Sequence, residues 1–231
     1  MKRITSTLIA VLLVVAAPAW ADAEAEARER LRAFTEDLHS FTATFQQTLY
    51  DDDQYPIQER SGVGKLEKPG KFRWEYQEPY EQLIVSNGER MWMYEADLDQ
   101  VTVREFDQAL GQAPIALLSG DAPLEDQFEI EALGEREGLL WIQLDPKVQD
   151  TDFRRIYLGF DDTSIKVMEL RDRFDGTTQV VFDDVAVNED IAAELFEFEP
   201  PEGADVIGED EMEEGMEGDM EMDMDAGEST W

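Results

Sequence analysis

Between residues 40 and 104 apolar and polar positions alternate in short runs separated by turn residues, which is the period of half-buried β-strands. The clearest run is Lys71-Phe72-Arg73-Trp74-Glu75-Tyr76, in which Phe72, Trp74 and Tyr76 fall on one face and the charges on the other. It predicts a strand carrying a broad aromatic wall. From Ser40 onward Phe41, Ala43, Phe45, Gln47 and Leu49 alternate in the same way, and residues 59–67 form a weaker strand loosened by Gly62 and Gly64. Pro69-Gly70 is a turn signal. Residues 82–86 and 89–94 flank Asn87-Gly88, a pair that predicts a hairpin with a type I′ turn, which needs positive φ at both central residues. Residues 98–104 make a further strand.

Helical spacing appears in two places. Leu31, Phe34 and Leu38 recur on one face of residues 23–39, with charges between them. After residue 104 the alternation breaks, and residues 106–110 and 114–118 read as short helices, the second with Pro114 in its first turn. Ile115, Leu117 and Leu118 lie between Gly111 and Gly120, so this insert is either a mobile lid or a packed connector. Strands resume at 128–132, 139–144, 154–160, 165–171 and 177–187, punctuated by Gly138, Asp161-Asp162 and Asp175-Gly176. Successive short strands with turn signals predict a mainly β chain with some α. Its core is one long curved antiparallel sheet whose concave side is covered by the first helix and the insert.

The two ends of the chain differ from the middle. Lys2 and Arg3, the apolar stretch from Leu8 to Ala17, and Ala19-Trp20-Ala21 have the form of a secretory signal cleaved after Ala21. The apolar stretch is too short to span a bilayer. The expected organisation is therefore a cleaved segment 1–21, a folded domain 22–205 and a tail 206–231. Residue 22 is Asp and the chain has no Cys, which leaves neither disulfides nor a thiol for lipid attachment at the new N-terminus. These features predict a soluble, exported protein.

Charge narrows the partners. The 231 residues carry 55 Asp and Glu against 19 Lys and Arg, a net charge of -36, which disfavours nucleic acid and anionic lipid surfaces. From Glu202 onward there are 13 acidic residues and no Lys or Arg, leaving 42 acids and 17 bases between residues 22 and 201. The domain is thus acidic by itself, as expected for a host in high salt, where ions screen the self-repulsion. The tail, rich in Glu, Asp, Gly and Met, cannot fold alone. Met212, Met216, Met220, Met222 and Met224 are closely spaced, and thioethers suit Cu(I), but a solvated acidic tail is the simpler reading and no cofactor is expected.

A search for reactive groups finds little. His39 is the one histidine and stands at the end of a helix, where it reads as a cap or surface group. Cysteine nucleophiles and thiolate metal sites are absent, and no G-x-S-x-G elbow exists. Gly62-Val63-Gly64 does not extend to a dinucleotide motif, because position 67 is Glu. No enzyme activity is expected, and no metal site. What remains is apolar. Phe72, Trp74, Ile84, Trp92, Tyr94, Trp141 and Phe160 form either an ordinary core or the wall of a cavity. A strongly curved sheet with few large helices to fill it tends to leave a cavity, which suits an acyl chain.

Several short motifs, weak singly, together resemble the LolA/LolB family of periplasmic lipoprotein carriers. They are Ser40-Phe41-x-Ala43-x-Phe45, Gly62-x-Gly64, Lys68-Pro69-x-x-Phe72-x-Trp74, Val85-Ser86-Asn87-Gly88 with Trp92 and Tyr94, the Pro114 segment, and Phe196-x-Phe198-x-Pro200-Pro201-x-Gly203. The resemblance implies an incomplete, half-open β-barrel closed by helices over an apolar cavity. It implies a monomeric periplasmic chaperone that takes triacylated lipoproteins from an inner-membrane ABC transporter and delivers them to the outer-membrane acceptor lipoprotein LolB. The missing Cys favours the soluble carrier over that acceptor. Expected acyl-chain contacts are Phe41, Phe72, Trp74, Ile84, Trp92, Ile115 and Leu118. The resemblance also makes the residue before Pro69 a lid gate; well-studied members carry Arg there and this chain carries Lys68, which lacks the planar fork of donors. The alternative is a periplasmic sensor of mislocalised lipoproteins in envelope stress signalling. Such proteins carry an extra C-terminal domain, whereas the segment after residue 205 here cannot fold.

Overall fold

A computed structural model describes residues 19–106, 113–148 and 151–208. Most of the expected export signal and nearly all of the acidic Met-rich tail lie outside the described residues, as does the short helix expected at 106–110 beyond Phe106.

Twelve strands form one sheet in the order β12-β6-β5-β4-β3-β2-β1-β11-β10-β9-β8-β7. The first half comprises β1 (Ser40–Tyr50), β2 (Pro56–Glu67), β3 (Lys71–Glu78), β4 (Gln82–Asn87), β5 (Arg90–Glu95) and β6 (Gln100–Glu105). The second comprises β7 (Phe128–Arg136), β8 (Leu139–Pro146), β9 (Phe153–Phe160), β10 (Ile165–Asp172) and β11 (Thr177–Val187). All these neighbours pair antiparallel, and β1 joins the halves through β11, with Phe45 opposite Phe182. The expected single antiparallel sheet is therefore present. It is also unclosed: β12 and β7 are its two edges.

Three features depart from the alternation pattern. β12 (Asp205–Ile207) pairs parallel with β6, Val206 opposite Val101, so the folded unit runs past the boundary expected at residue 205. The β4–β5 hairpin forms at Asn87-Gly88 as expected, but only Gly88 has positive φ (100°), so the turn is not type I′. The Asn87 side chain instead accepts hydrogen bonds from the amides of Glu89 and Arg90, each at 3.0 Å, and this Asx turn replaces the second left-handed residue. A short helix α3 (Leu124–Gln127) also precedes β7.

Helix α1 (Ala19–Asp37) buries Ala27 and Leu31, which with Leu38 just beyond its end share one face at helical spacing, and it packs along β7 and β8. Helix α2 (Ala116–Ser119) packs on β2 and β3 with all four residues buried. Gly62 and Gly64 permit tight coiling of β2 against β3. A Cβ at Gly62 would stand 1.9 Å from the Glu75 carbonyl oxygen, and one at Gly64 would stand 2.5 Å from the Trp74 ring. Both are incompatible with the observed packing, so the weakness these glycines bring to the strand is what lets Trp74 lie across it.

Candidate functional site: an apolar interior sealed by two helical elements

The inner face of the sheet is one contiguous apolar cluster. Phe72, Trp74 and Tyr76 of β3 are all buried on it, as their alternation predicts. Trp74 stacks on Phe45 at 3.7 Å between ring centroids with 12° between planes, and Phe41 meets Phe182 edge-on at 5.6 Å. Such pairs contribute about 0.5–1.5 kcal/mol beyond the area they bury. Ile84 of β4 and Phe160 of β9 extend the wall. Deeper along β3, the Tyr76 hydroxyl lies 3.1 Å from Gln47 Oε1, and burial pushes its pKa up.

The structure brings together Phe41, Phe72, Trp74, Ile84, Ile115 and Leu118, each essentially inaccessible to water. It does not bring Trp92 with them. Met91 and Met93 of β5 face the cluster, so Trp92 and Tyr94 point to the outer face, where Phe198 lies 6.4 and 6.2 Å from their rings. Trp141 of β8 is likewise outside, with Ile142 and Leu144 inside and the Arg136 guanidinium 5.2 Å over its ring. The expectation for Trp92 as an acyl contact is therefore corrected by strand parity. The outer face of β3, β4 and β5 is covered by the returning chain, with Phe196 of the 3₁₀ turn Ala193–Phe196 buried.

The wall does not face open volume. It meets Ala27, Leu31 and Leu38 of the α1 face and Ile115, Leu117 and Leu118 of the insert. Open space lies along the flanks of α1 instead. A cleft of about 420 Å³ separates its C-terminal turn from the insert and is lined by Leu38, Lys68, Pro69, Leu117, Leu118 and Leu124, among others. Another of about 240 Å³ lies between Phe34, Leu38 and Phe160, and one of about 550 Å³ lies beside Arg28, Phe128 and Lys147.

Two of the polar bonds that hold the seal start from the β2–β3 turn. Lys68 Nζ donates to the Thr35 carbonyl at 2.7 Å, and the Gly70 amide donates to the Ser119 carbonyl at 2.8 Å. One turn thus fastens both α1 and α2. The last turn of α1 has no basic residue of its own, so Lys68 supplies the positive charge its C-terminal dipole favours. Burial lowers the pKa of Lys68, and Asp121 of the insert opposes that shift. The turn is itself locked from behind. Ser86 Oγ donates to the Gly70 carbonyl at 2.9 Å, and a Cβ at Gly70 would stand 2.8 Å from Gly88 Cα. Further along, Arg28 of α1 donates to the Ile130 carbonyl (2.6 Å) and Arg30 to the Asp161 carbonyl (2.8 Å), while the Asp37 carbonyl accepts from Asn188 Nδ2 (2.9 Å). Thr35, Ser119, Ile130 and Asp161 take part through main-chain carbonyls, which no side-chain pattern reveals.

A single unclosed twelve-stranded sheet with one contiguous apolar face, against which α1 and the insert pack, defines a mainly β fold class, and comparisons with known proteins narrow it to a family. Residues 36–199 match the family model described as outer membrane lipoprotein carrier protein LolA. An outer-membrane lipoprotein carrier protein of Nitrosospira multiformis is 43% identical over 180 residues, covering 78% of this chain and 87% of its own length. One of Nitrosomonas europaea is 42% identical over 211 residues, covering 90% and 99%. Among solved structures, an uncharacterized conserved protein from Thermus thermophilus superposes with a TM-score of 0.51 at 13% identity, over 79% of this chain and 97% of its own, a likeness of fold alone. The chain belongs to the LolA family.

Proposed function

We propose that this protein is a periplasmic lipoprotein carrier that accepts triacylated lipoproteins released by an inner-membrane ABC transporter, shelters their acyl chains in its interior, and delivers them to the acceptor LolB. Relatives named outer-membrane lipoprotein carrier protein support the carrier role and the compartment. The observation that carries the finer reading is the sealed interior. Its aromatic wall is covered by two helical elements that one turn fastens through Lys68 and Gly70, and clefts border α1 on both flanks.

The energetics fit the task. Exposing an acyl chain to water costs about 0.8 kcal/mol per CH₂, so a lipid with several chains needs full cover to cross an aqueous space. An interior with Phe41, Phe72, Trp74 and Ile84 on one side and Ile115 and Leu118 on the other offers contacts that are strong in sum and have little direction. Closed on itself, the empty carrier hides this surface, as a soluble protein must. When cargo displaces α1 and the insert, the work of opening subtracts from the net affinity, which favours hand-off to an acceptor without ATP.

The test is incubation of the purified protein with spheroplasts. Lipoproteins should appear in the soluble fraction, and Phe72→Glu, which sets a carboxylate in the acyl path, should lower transfer. Absence of soluble lipoprotein with the wild-type protein, or undiminished delivery by a folded Phe72→Glu variant, would refute the reading.

A further inference from the structure

Among the described residues, six large apolar side chains are more than 60% exposed, and all six lie on one rim of the sheet. Leu98 (64%) is on the β5–β6 turn, Tyr80 (64%) on β3–β4, Tyr55 (68%) and Ile57 (61%) at β1–β2, Phe174 (88%) on β10–β11 and Val148 (66%) after β8. The turns follow one another in sheet order, so their tips stand about 10 Å apart, twice the strand spacing. The turns at the opposite ends of these strands, including the Lys68 turn, carry polar residues: Asn87-Gly88-Glu89, Glu137-Gly138 and Asp161-Asp162-Thr163-Ser164. Single exposed apolar residues are ordinary on a protein surface, but here all six stand on the turns of one rim.

Two of the tips are held rigid. Asp172 Oδ1 accepts from the amides of Phe174 (2.7 Å) and Gly176 (2.9 Å), and Asp51 Oδ1 accepts from the Tyr55 amide (2.8 Å). An apolar group fixed in an exposed position is pre-organised for contact and loses little entropy on burial. The rim turns carry Asp52, Asp53, Glu81, Asp97 and Asp99, all exposed, against the exposed bases Lys147 and Arg173, so the rim is acidic on balance. That charge repels an anionic bilayer and a second copy of the same rim.

We propose that this rim is a docking surface for a protein partner whose face is basic and carries apolar sockets. The partner's cations would meet the turn carboxylates while Tyr55, Tyr80 and Phe174 enter the sockets, an anchor-and-rim arrangement of the usual kind. β3 runs eight residues from the Lys68 turn to this rim, about 25 Å, so a partner seated on Tyr55, Tyr80 and Phe174 leaves the Lys68 latch unobstructed. The inference is independent of what the interior carries.

The test measures binding of the purified full chain to three probes: a short amphipathic helical peptide of Lys and Leu, vesicles of phosphatidylcholine, and vesicles that also contain phosphatidylglycerol. The triple variant Tyr55→Ser, Tyr80→Ser, Phe174→Ser is compared with a control, Val187→Ser with Ile207→Ser, which removes exposed apolar residues elsewhere. All these side chains are exposed, and near-UV circular dichroism checks that the fold is kept. The expected result is peptide binding weakened about tenfold or more in the triple variant, unchanged in the control and reduced by salt, with no vesicle binding. Equal peptide affinity for all three proteins would reduce the rim to net charge and overturn the proposal. Vesicle binding by the wild type that the triple variant loses would make the rim a membrane contact and overturn it as well.

Discussion

The Lys68 ammonium and the Thr35 carbonyl, 33 residues apart in sequence, meet at 2.7 Å and close the C-terminal end of the first helix onto the β2–β3 turn. The helix ends at Asp37, and the amide of His39, which would continue its ladder, donates instead to Asn188 Oδ1 at 2.7 Å. The Thr35 carbonyl therefore has Lys68 as its donor, and the seal over the interior depends on a residue that belongs to neither helix.

Lys68→Met should loosen this end of α1. A hydrogen bond involving a charged group contributes about 1.5–3 kcal/mol, less where solvent reaches it, so a loss of about 1–2 kcal/mol is expected. Amide exchange in α1 should quicken and uptake of a hydrophobic dye should rise. Lys68→Arg keeps a donor and should hold α1 protection at or above the wild-type level. The pH response has a definite sign. The folded pKa lies below 10.5, mainly through burial, so the unfolded chain holds more protons in the window just below that value. The stability contributed by this site should rise as pH climbs through the window, and the difference between wild type and Lys68→Met measures it.

Acid should attack the other anchor of α1. Burial pushes the Asp161 carboxyl up, but hydrogen bonds from the Ser164 and Thr163 amides and the Thr163 hydroxyl, with Lys166 nearby, outweigh it and hold the pKa at about 2 against 3.8 unfolded. Its contribution is complete above 3.8 and is lost as pH falls through 2. Because the carboxylate is partly exposed, about 1–2 kcal/mol is expected. Asp161→Asn should remove that amount at neutral pH and flatten the decline between these two values in urea titrations. The same turn receives Arg30, so α1 should show faster amide exchange in this variant.

Gly64→Ala should be disproportionately harmful for a single methyl group. The new Cβ would stand 2.5 Å from Trp74 and 3.2 Å from Ile115, so the wall and the insert must separate. Overpacking of this kind costs about 1–3 kcal/mol. A lowered urea midpoint accompanied by increased dye uptake is the expected pair of results; a lowered midpoint with unchanged uptake would localise the damage to the sheet.

Salt should stabilise the fold. With a net charge of -36, repulsion among exposed carboxylates is relieved as the screening length falls from about 10 Å at 0.1 M to about 3 Å at 1 M. Urea midpoints should increase over this range, and a flat response would show that the acids are placed where they do not oppose folding.

The strands were legible because their two faces differ. In β3 the residues between the aromatics are Arg73 and Glu75, so parity put Phe72 and Trp74 on one apolar face and the charges on the other. In β5 both faces are apolar, with Met91 and Met93 inward and Trp92 and Tyr94 outward. Alternation fails there because the C-terminal chain covers the outer side, and that cover comes from residues about a hundred positions away. β12 was hidden for the same reason: Asp205-Val206-Ile207 has no strand signal until β6 offers it an edge. The latch was half legible. The family resemblance pointed to Lys68 beside Pro69, but its partner is a backbone oxygen common to every residue.

The sheet has two free ends rather than a closing ladder, and this shapes what the molecule is able to hold. A sealed barrel has a diameter fixed by its strand count and stagger. Here no strand pairing ties β12 to β7, so the two margins could move apart without rupturing the ladder. On the carrier role proposed above, cargoes of differing bulk would meet an elastic sleeve instead of a template, and selectivity would shift from the shape of the guest to the effort of spreading the host.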